Sequence, residues 1–494
     1  MSEARKYKGP KIEGGIDAVI LGATSEGLAA AALLARAGFH VVLIETPASR
    51  PRERREFAPG FFAESGDPLA ATLDHTVVEA LDLYRHGLAF SARRLETLVR
   101  FSDGAMVTMP GDPALAGEAV AAFSEVDAGA FAAFLEAERR TARSLADWFA
   151  GGERPALLDG AAAEAATASV DGAVAGRFVD HRLEDYLRAE AAFAIGARPA
   201  EPFTYLSFIR RLAGEAAGLQ GGVAAIEGGG RGLNNALRRA CQAASVTIRQ
   251  TDRVKDVIVE WDRVTGVEFD DGAQIRAPII ISSLPAHETF LDLVGRARLD
   301  IEFTRTLDIK ELPIASVRFN LAINGPIPDP HIAARLDRRF LFAPSPLEIE
   351  RAFRAAAEGT APEAAIGELV FPSAFDRALA PEGCASATLT LHPLAGKPLS
   401  DDQWRKEVSG AARTIFARLV DGAQIAAIEA EEALVAAPPL PAAMERRARL
   451  AGASGLEGYF FCGPETLIGG GVSLSAGRRA ADRARDYFRK GGFS

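Results

Sequence analysis

The chain of 494 residues is 48% hydrophobic and 25% charged, the proportions of a folded globular protein rather than a disordered or fibrous one. It is too long for one ordinary core, so two or three domains are expected, with room to bury a large ligand. A formal net charge of −10 repels phosphate backbones and argues against nucleic acid as the main partner.

The basic run Arg50-Pro-Arg-Glu-Arg-Arg55 is read as a solvated loop. The three cysteines, Cys241, Cys384 and Cys462, form no CxxC pair and have no histidine cluster beside them, so neither a disulfide framework nor a metal site is expected. The first ten residues hold no apolar stretch, which speaks against a secretory signal and makes the cytoplasm the default compartment. The best membrane-span candidate, Ile16 to Ile44, is interrupted by Asp17, Glu26, Arg36 and His40, so no transmembrane segment is expected.

Residues 16–21 form a short apolar run, followed by a glycine-containing turn, an Ala/Leu-rich helix from about Leu28 to Ala37, and a second apolar run, Val41 to Ile44. That order predicts a βαβ unit on a buried parallel sheet, with Gly38 at the C′ position of the helix. Between about residues 110 and 200 the composition turns to Ala, Glu and Arg in amphipathic helical spacing, an inserted helical region in which Asp127 is a candidate N-cap. Gly228 to Ala240 reads as a loop entering a helix. Strands follow at 246–248, 254–260 and 264–269, then a hairpin turn at Asp270 to Gly272 and a buried strand at 277–282. Mixed strands and helices run to about residue 450. The chain closes with the stretch Gly458 to Gly463, which reads as a strand, a loop containing Gly469 to Gly471, and a helix from about Ser475 to Phe488.

A βα turn at the carboxyl end of a strand exposes unpaired amides and the positive end of a helix, and so can hold a pyrophosphate. Here Gly22 would make the tight turn and Gly27 the close approach of helix to strand, with Thr24 and Ser25 between them. Thr24 stands where the middle glycine of such a turn normally lets phosphate approach the backbone. Glu45, eighteen residues after Gly27, is placed to accept hydrogen bonds from an adenosine ribose. A second ligand contact is expected from the C-terminal strand, glycine loop and helix. Amides at that helix N-terminus would stabilise the negative charge of a reduced flavin.

On these residues the chain resembles the phytoene desaturase-like branch of FAD-dependent oxidoreductases, related to the flavin amine oxidases. Four pieces carry the likeness: the Gly22 to Glu45 unit, Val223 to Leu233, Pro372 to Pro381, and Cys462-Gly463 with Gly469 to Ser473. The resemblance implies an α/β fold with a discontinuous Rossmann-like FAD-binding domain (14–100, 220–295 and 455–494) and an inserted α+β substrate domain (101–219 and 296–454). It also implies FAD as cofactor, contacted at Gly22, Thr24, Ser25, Gly27, Glu45, Val254, Cys462, Gly463, Gly470, Gly471 and Val472. Several positions depart from the family. Thr24 replaces a glycine, no glycine occurs between Glu45 and Gly60, Leu467-Ile468 stands where many relatives have His-Pro, and Ile209-Arg210 where close relatives often carry histidines.

The expected activity is removal of hydride from a C–H bond of a small apolar or amine substrate to flavin N5. The alternative is a catalytically degenerate subunit of the same fold, structural or regulatory, with weak or no FAD binding. A nicotinamide-only dehydrogenase would leave the C-terminal glycine loop unexplained. No catalytic side chain is assigned: His287 and His392 are the nearby candidates, and each reads better as an ordinary structural or surface histidine. Peripheral membrane contact and homo- or hetero-oligomerisation are left open.

Overall fold

A computed structural model describes residues 15–50, 54–64, 66, 68–149, 160–193, 195, 197–251, 253–307, 314–435, 449–450, 455–466 and 473–491. At its centre are β1 (Ala18–Leu21), α1 (Ser25–Arg36) and β2 (Val41–Glu45). The two strands join a five-stranded sheet in the order Thr247–Gln250, β2, β1, Ile279–Ser282, Tyr459–Phe461, and every pairing is parallel. This is the doubly wound order, and it reverses direction on either side of β1. Ligands of such sheets sit beyond the carboxyl ends of the strands at that reversal, where β1 runs into Gly22.

Both faces of the sheet are covered at its centre, which is why β1, most of β2 and Ile279–Ser282 read as apolar runs, whereas the edge strand Thr247–Gln250 does not. Ala18 and Ile20 of β1, with Val41 and Leu43 of β2, pack on a helical layer made by α1, the helix Gly229–Ala243 and the C-terminal helix Ser475–Arg489. Val19, Leu21, Val42 and Ile44 point the other way, onto a three-stranded meander of Val254–Glu260, Arg263–Phe269 and Gln274–Arg276. Helix α1 lies between the sheet and two other helices, and its alanines Ala29 to Ala32 are fully buried because only small side chains allow packing that close.

Helix α1 begins earlier than its apolar pattern suggests, at Ser25, because Thr24 caps it: the Thr24 hydroxyl accepts from the Gly27 amide at 3.2 Å. It ends at Arg36, and Gly38 follows with a φ of +99°, the left-handed conformation expected of a C′ glycine.

The second sheet has seven strands, in the order Gln424–Val435, Ile314–Asn324, Ala385–Ala395, Ile366–Val370, Arg339–Ala343, Thr97–Phe101, Met106–Met109. It is antiparallel except where Arg339–Ala343 runs alongside Thr97–Phe101. Helices between Pro113 and Ala213 pack on it. Asp127 is not the N-cap of its helix, which starts at Glu125. Its buried carboxylate instead accepts from the Val179 and Asp180 amides at 2.9 Å each, tying this helix to the loop that enters the helix His181–Ala192.

A buried ionic network fastens that helical region to the sheet. Glu190, on the helix His181–Ala192, meets Arg339 at 2.6 Å and Arg211 at 2.9 Å, while Arg339 also meets Glu368 at 2.6 Å. Burial pushes the Glu190 carboxyl up, but the two guanidinium groups outweigh it and hold it below the ordinary range. The run Arg50 to Arg55 is not simply solvated either: Arg54 faces Asp376 at 3.4 Å, and Arg55 pairs with Glu429 of the second sheet at 2.7 Å.

Candidate nucleotide site

Gly22, Ser283 and Gly463 meet at the carboxyl edge of the parallel sheet. Gly22 has a φ of +98°, a conformation that disfavours any side chain, and a Cβ there would lie 2.6 Å from the Ser283 hydroxyl. That hydroxyl donates toward the carbonyls of Leu21 at 3.1 Å and Gly22 at 3.0 Å, pinning the turn to the loop that leaves Ile279–Ser282. Gly27 is needed for approach rather than dihedral freedom: a Cβ would sit 2.2 Å from the Gly22 carbonyl oxygen. Gly463 follows the buried Cys462, and a Cβ on it would lie 2.4 Å from the Leu284 carbonyl oxygen. Burial pushes the Cys462 thiol well above its usual range, which suits a packing role rather than a nucleophile.

The turn leaves the Ser25 and Glu26 amides without intrahelical acceptors, as any helix start does. Thr24 takes the Gly27 amide for itself. The Thr24 backbone is extended, with φ −68° and ψ 167°, so its side chain brings no strain and contributes a cap.

Glu45 ends β2 and is 2% exposed. It is not free. Arg238, from the helix Gly229–Ala243, forks onto it, with Nη2 to Oε1 at 2.8 Å and Nη1 to Oε2 at 3.2 Å. Gln250 donates to Oε2 at 3.4 Å, and Arg50 stands 3.9 Å from Oε1. The Glu45 carbonyl receives the Thr251 amide at 3.0 Å, which brings the chain leading to Val254 alongside this corner. Val254 itself is buried and pairs with Phe269.

The N-terminus of the C-terminal helix is likewise engaged. The Glu26 carboxylate accepts from the Leu474 amide at 2.8 Å and the Gly477 amide at 2.7 Å, and the Ser475 amide donates to the Ser473 hydroxyl at 3.2 Å. These amides, expected to face a ligand, are therefore satisfied from within the chain. Burial raises the Glu26 pKa above its usual value, against the two amide bonds and the nearby Arg479. Gly477 lets this helix close on α1, since a Cβ would lie 2.2 Å from the Glu26 carbonyl oxygen. Gly470, Gly471 and Val472, with Leu467 and Ile468, lie outside the described residues.

Neither histidine candidate is placed for acid–base chemistry. The His287 side chain is three-quarters exposed and faces Asp292 at 3.7 Å. His392 is fully buried between Phe193 and Phe353, and burial lowers its pKa to about 4, so it is neutral. Ile209, on the helix Tyr205–Ala213, is a buried core residue. Among the described residues no cluster of His, Cys, Asp and Glu could hold a metal ion, and no helix is long and apolar enough to cross a membrane.

The parallel sheet, the glycine turn at its reversal and the second mixed sheet define an α/β fold of the Rossmann-like class. The chain has the fold of the oxidoreductases related to the flavin amine oxidases. It is 24% identical over 545 aligned residues to the rat pyridine nucleotide-disulfide oxidoreductase domain-containing protein 2, spanning 94% of this chain and 92% of that one. An oxidoreductase from Methanosarcina mazei superposes with a TM-score of 0.65 at 17% identity, covering 95% of this chain and 100% of the other. Cyclohexylamine oxidase from Brevibacterium oxydans superposes with a TM-score of 0.58 at 14% identity, covering 96% and 99%. No family model matches the chain.

Proposed function

We propose that this chain is an FAD-dependent oxidoreductase that removes hydride from a C–H bond of a small apolar or amine substrate. The observation that carries this reading is the Gly22–Gly27 turn at the reversal of a doubly wound parallel sheet, with the strand Tyr459–Phe461 and its following helix returning to the same edge. The full-length likeness to a cyclohexylamine oxidase supports an amine as one substrate class.

The residues fit the cofactor at its adenosine and pyrophosphate end. The Ser25 and Glu26 amides and the positive end of α1 would bind the phosphates, Gly22 and Gly27 keep the turn tight, and Glu45 would accept from the ribose. When bound, FAD supplies the hydride acceptor at N5. The chain's own part is to bind and orient: the amides at the start of α1 and the Glu45 carboxylate would fix the nucleotide, and His392, enclosed and neutral, is not a base in this reading.

The test is to load the protein with FAD and mix it anaerobically with a panel of apolar amines and unsaturated hydrocarbons. Bleaching of the oxidised flavin band by at least one of them is the expected outcome. A loaded protein that no member of either class reduces would overturn the proposed reaction.

A further inference from the structure

The ribose acceptor of the site is already largely occupied by the chain's own groups. A carboxylate offers about four acceptor positions. On Glu45, three are taken by the two Arg238 nitrogens and by Gln250, and the Arg50 guanidinium faces the remaining side. The fork is held in register, since Arg238 Nε donates to Asn234 Oδ1 at 3.0 Å and Asn234 Nδ2 lies 3.5 Å from the Ala23 carbonyl oxygen, in the nucleotide turn itself. Arg238 therefore connects the ribose acid, through Asn234, to the backbone beside Gly22. Its side chain is 20% exposed, whereas Glu45 is buried, so the arginine has solvent to swing into and the carboxylate does not.

We propose that the Glu45–Arg238 fork is a latch on the nucleotide site: FAD gains its ribose contact only when Arg238 releases Glu45, so the chain takes FAD reversibly from solution instead of holding it permanently. This rests on the FAD reading above. The apparent affinity equals the intrinsic affinity multiplied by the fraction of molecules with the fork open. Removing the arginine while keeping the acid should therefore tighten binding, whereas removing the acid should not.

The experiment titrates FAD into the full chain and follows quenching of flavin fluorescence, for wild type, Arg238→Gln and Glu45→Gln. Melting temperatures with and without FAD report folding independently of activity. Wild type should bind one FAD per chain and lose it on desalting. Arg238→Gln should bind about tenfold tighter, a coupling of ordinary size for two linked sites, and FAD should raise its melting temperature more than that of wild type. Glu45→Gln, which breaks the same fork but lacks the charged acceptor, should show no gain. If Arg238→Gln does not fold, Arg238→Lys, which keeps the charge but cannot fork, should give a smaller gain in the same direction. FAD that stays with wild type through desalting, or an arginine variant that binds no tighter, sinks the latch and leaves the FAD reading standing. Absence of binding in wild type and in both single variants sinks the FAD reading and the latch with it.

Discussion

Removing the Glu26 side chain tests how α1 and the C-terminal helix are joined at the candidate nucleotide site. Glu26 is enclosed between α1 and the C-terminal helix, and it is the acceptor for the Leu474 and Gly477 amides. Glu26→Ala strands both donors in a buried place, at about 1–3 kcal/mol each. The charge is itself costly to bury, as the raised pKa indicates, so its removal returns part of that sum. The net loss should be about 2–4 kcal/mol. Glu26→Gln keeps one acceptor oxygen, turns an NH2 donor toward the other amide and removes the buried charge, so it should cost less than the alanine change, about 1–3 kcal/mol. The sign of the pH dependence follows. A carboxyl whose folded pKa lies above its unfolded value of about 4.5 binds protons more readily in the folded state, so its contribution declines as pH rises through that window. Glu26→Gln lacks this slope. Calorimetric melting at mildly acidic and mildly basic pH, with amide exchange across residues 473–477, reads both effects. Equal melting of Glu26→Ala and wild type, or a glutamine variant more damaged than the alanine one, would refute the reasoning.

Thr24→Gly should lower stability by a few tenths to about 1 kcal/mol through loss of the cap, and raise FAD affinity if the Thr24 side chain crowds the pyrophosphate; unchanged affinity in a titration would acquit Thr24. Gly27→Ala, whose Cβ meets the Gly22 carbonyl oxygen, should force α1 away from the sheet, cost about 1–3 kcal/mol in a melt and weaken FAD binding in a fluorescence titration. Glu190→Gln leaves Arg339 and Arg211 short of a partner and should cost about 3–5 kcal/mol in a denaturant melt, whereas a loss below about 1 kcal/mol would show the network to be dispensable. His392 has a folded pKa of about 4 against an unfolded value near 6.5, so the stability it contributes is present above 6.5 and is lost as pH falls from there toward 4. His392→Gln should flatten that slope in melts taken across the window.

The parts of the fold that local chemistry decides could be read in the sequence. The buried parallel strands β1 and β2, the C′ glycine at Gly38 and the hairpin glycine Gly272, with φ +81°, all follow from neighbours a few residues away. The start of α1 was harder, because apolar spacing points to Leu28 while the Thr24 hydroxyl sets the true beginning. The same confusion of local signals put Asp127 at a cap, although its acceptors serve a loop some fifty residues on. What sequence reasoning missed at the site is long-range. Glu26 looked like a charge interrupting an apolar run, yet its partner amide at Leu474 is 448 residues away. Arg238, 193 residues from Glu45, sat unnoticed in a helix read only for its glycine-rich start. The signal that could have raised Glu26 was its position: a carboxylate inside a buried βα turn needs donors from elsewhere in the chain.

The most direct test of the account is a spectral titration of the purified full chain with FAD, followed by gel filtration of the mixture against a control without protein. The account predicts saturable binding of one FAD per chain, with a shifted and quenched flavin spectrum at saturation. An unperturbed flavin spectrum at every FAD concentration, for wild type and for Arg238→Gln alike, would contradict it and favour a subunit that keeps the fold without the cofactor.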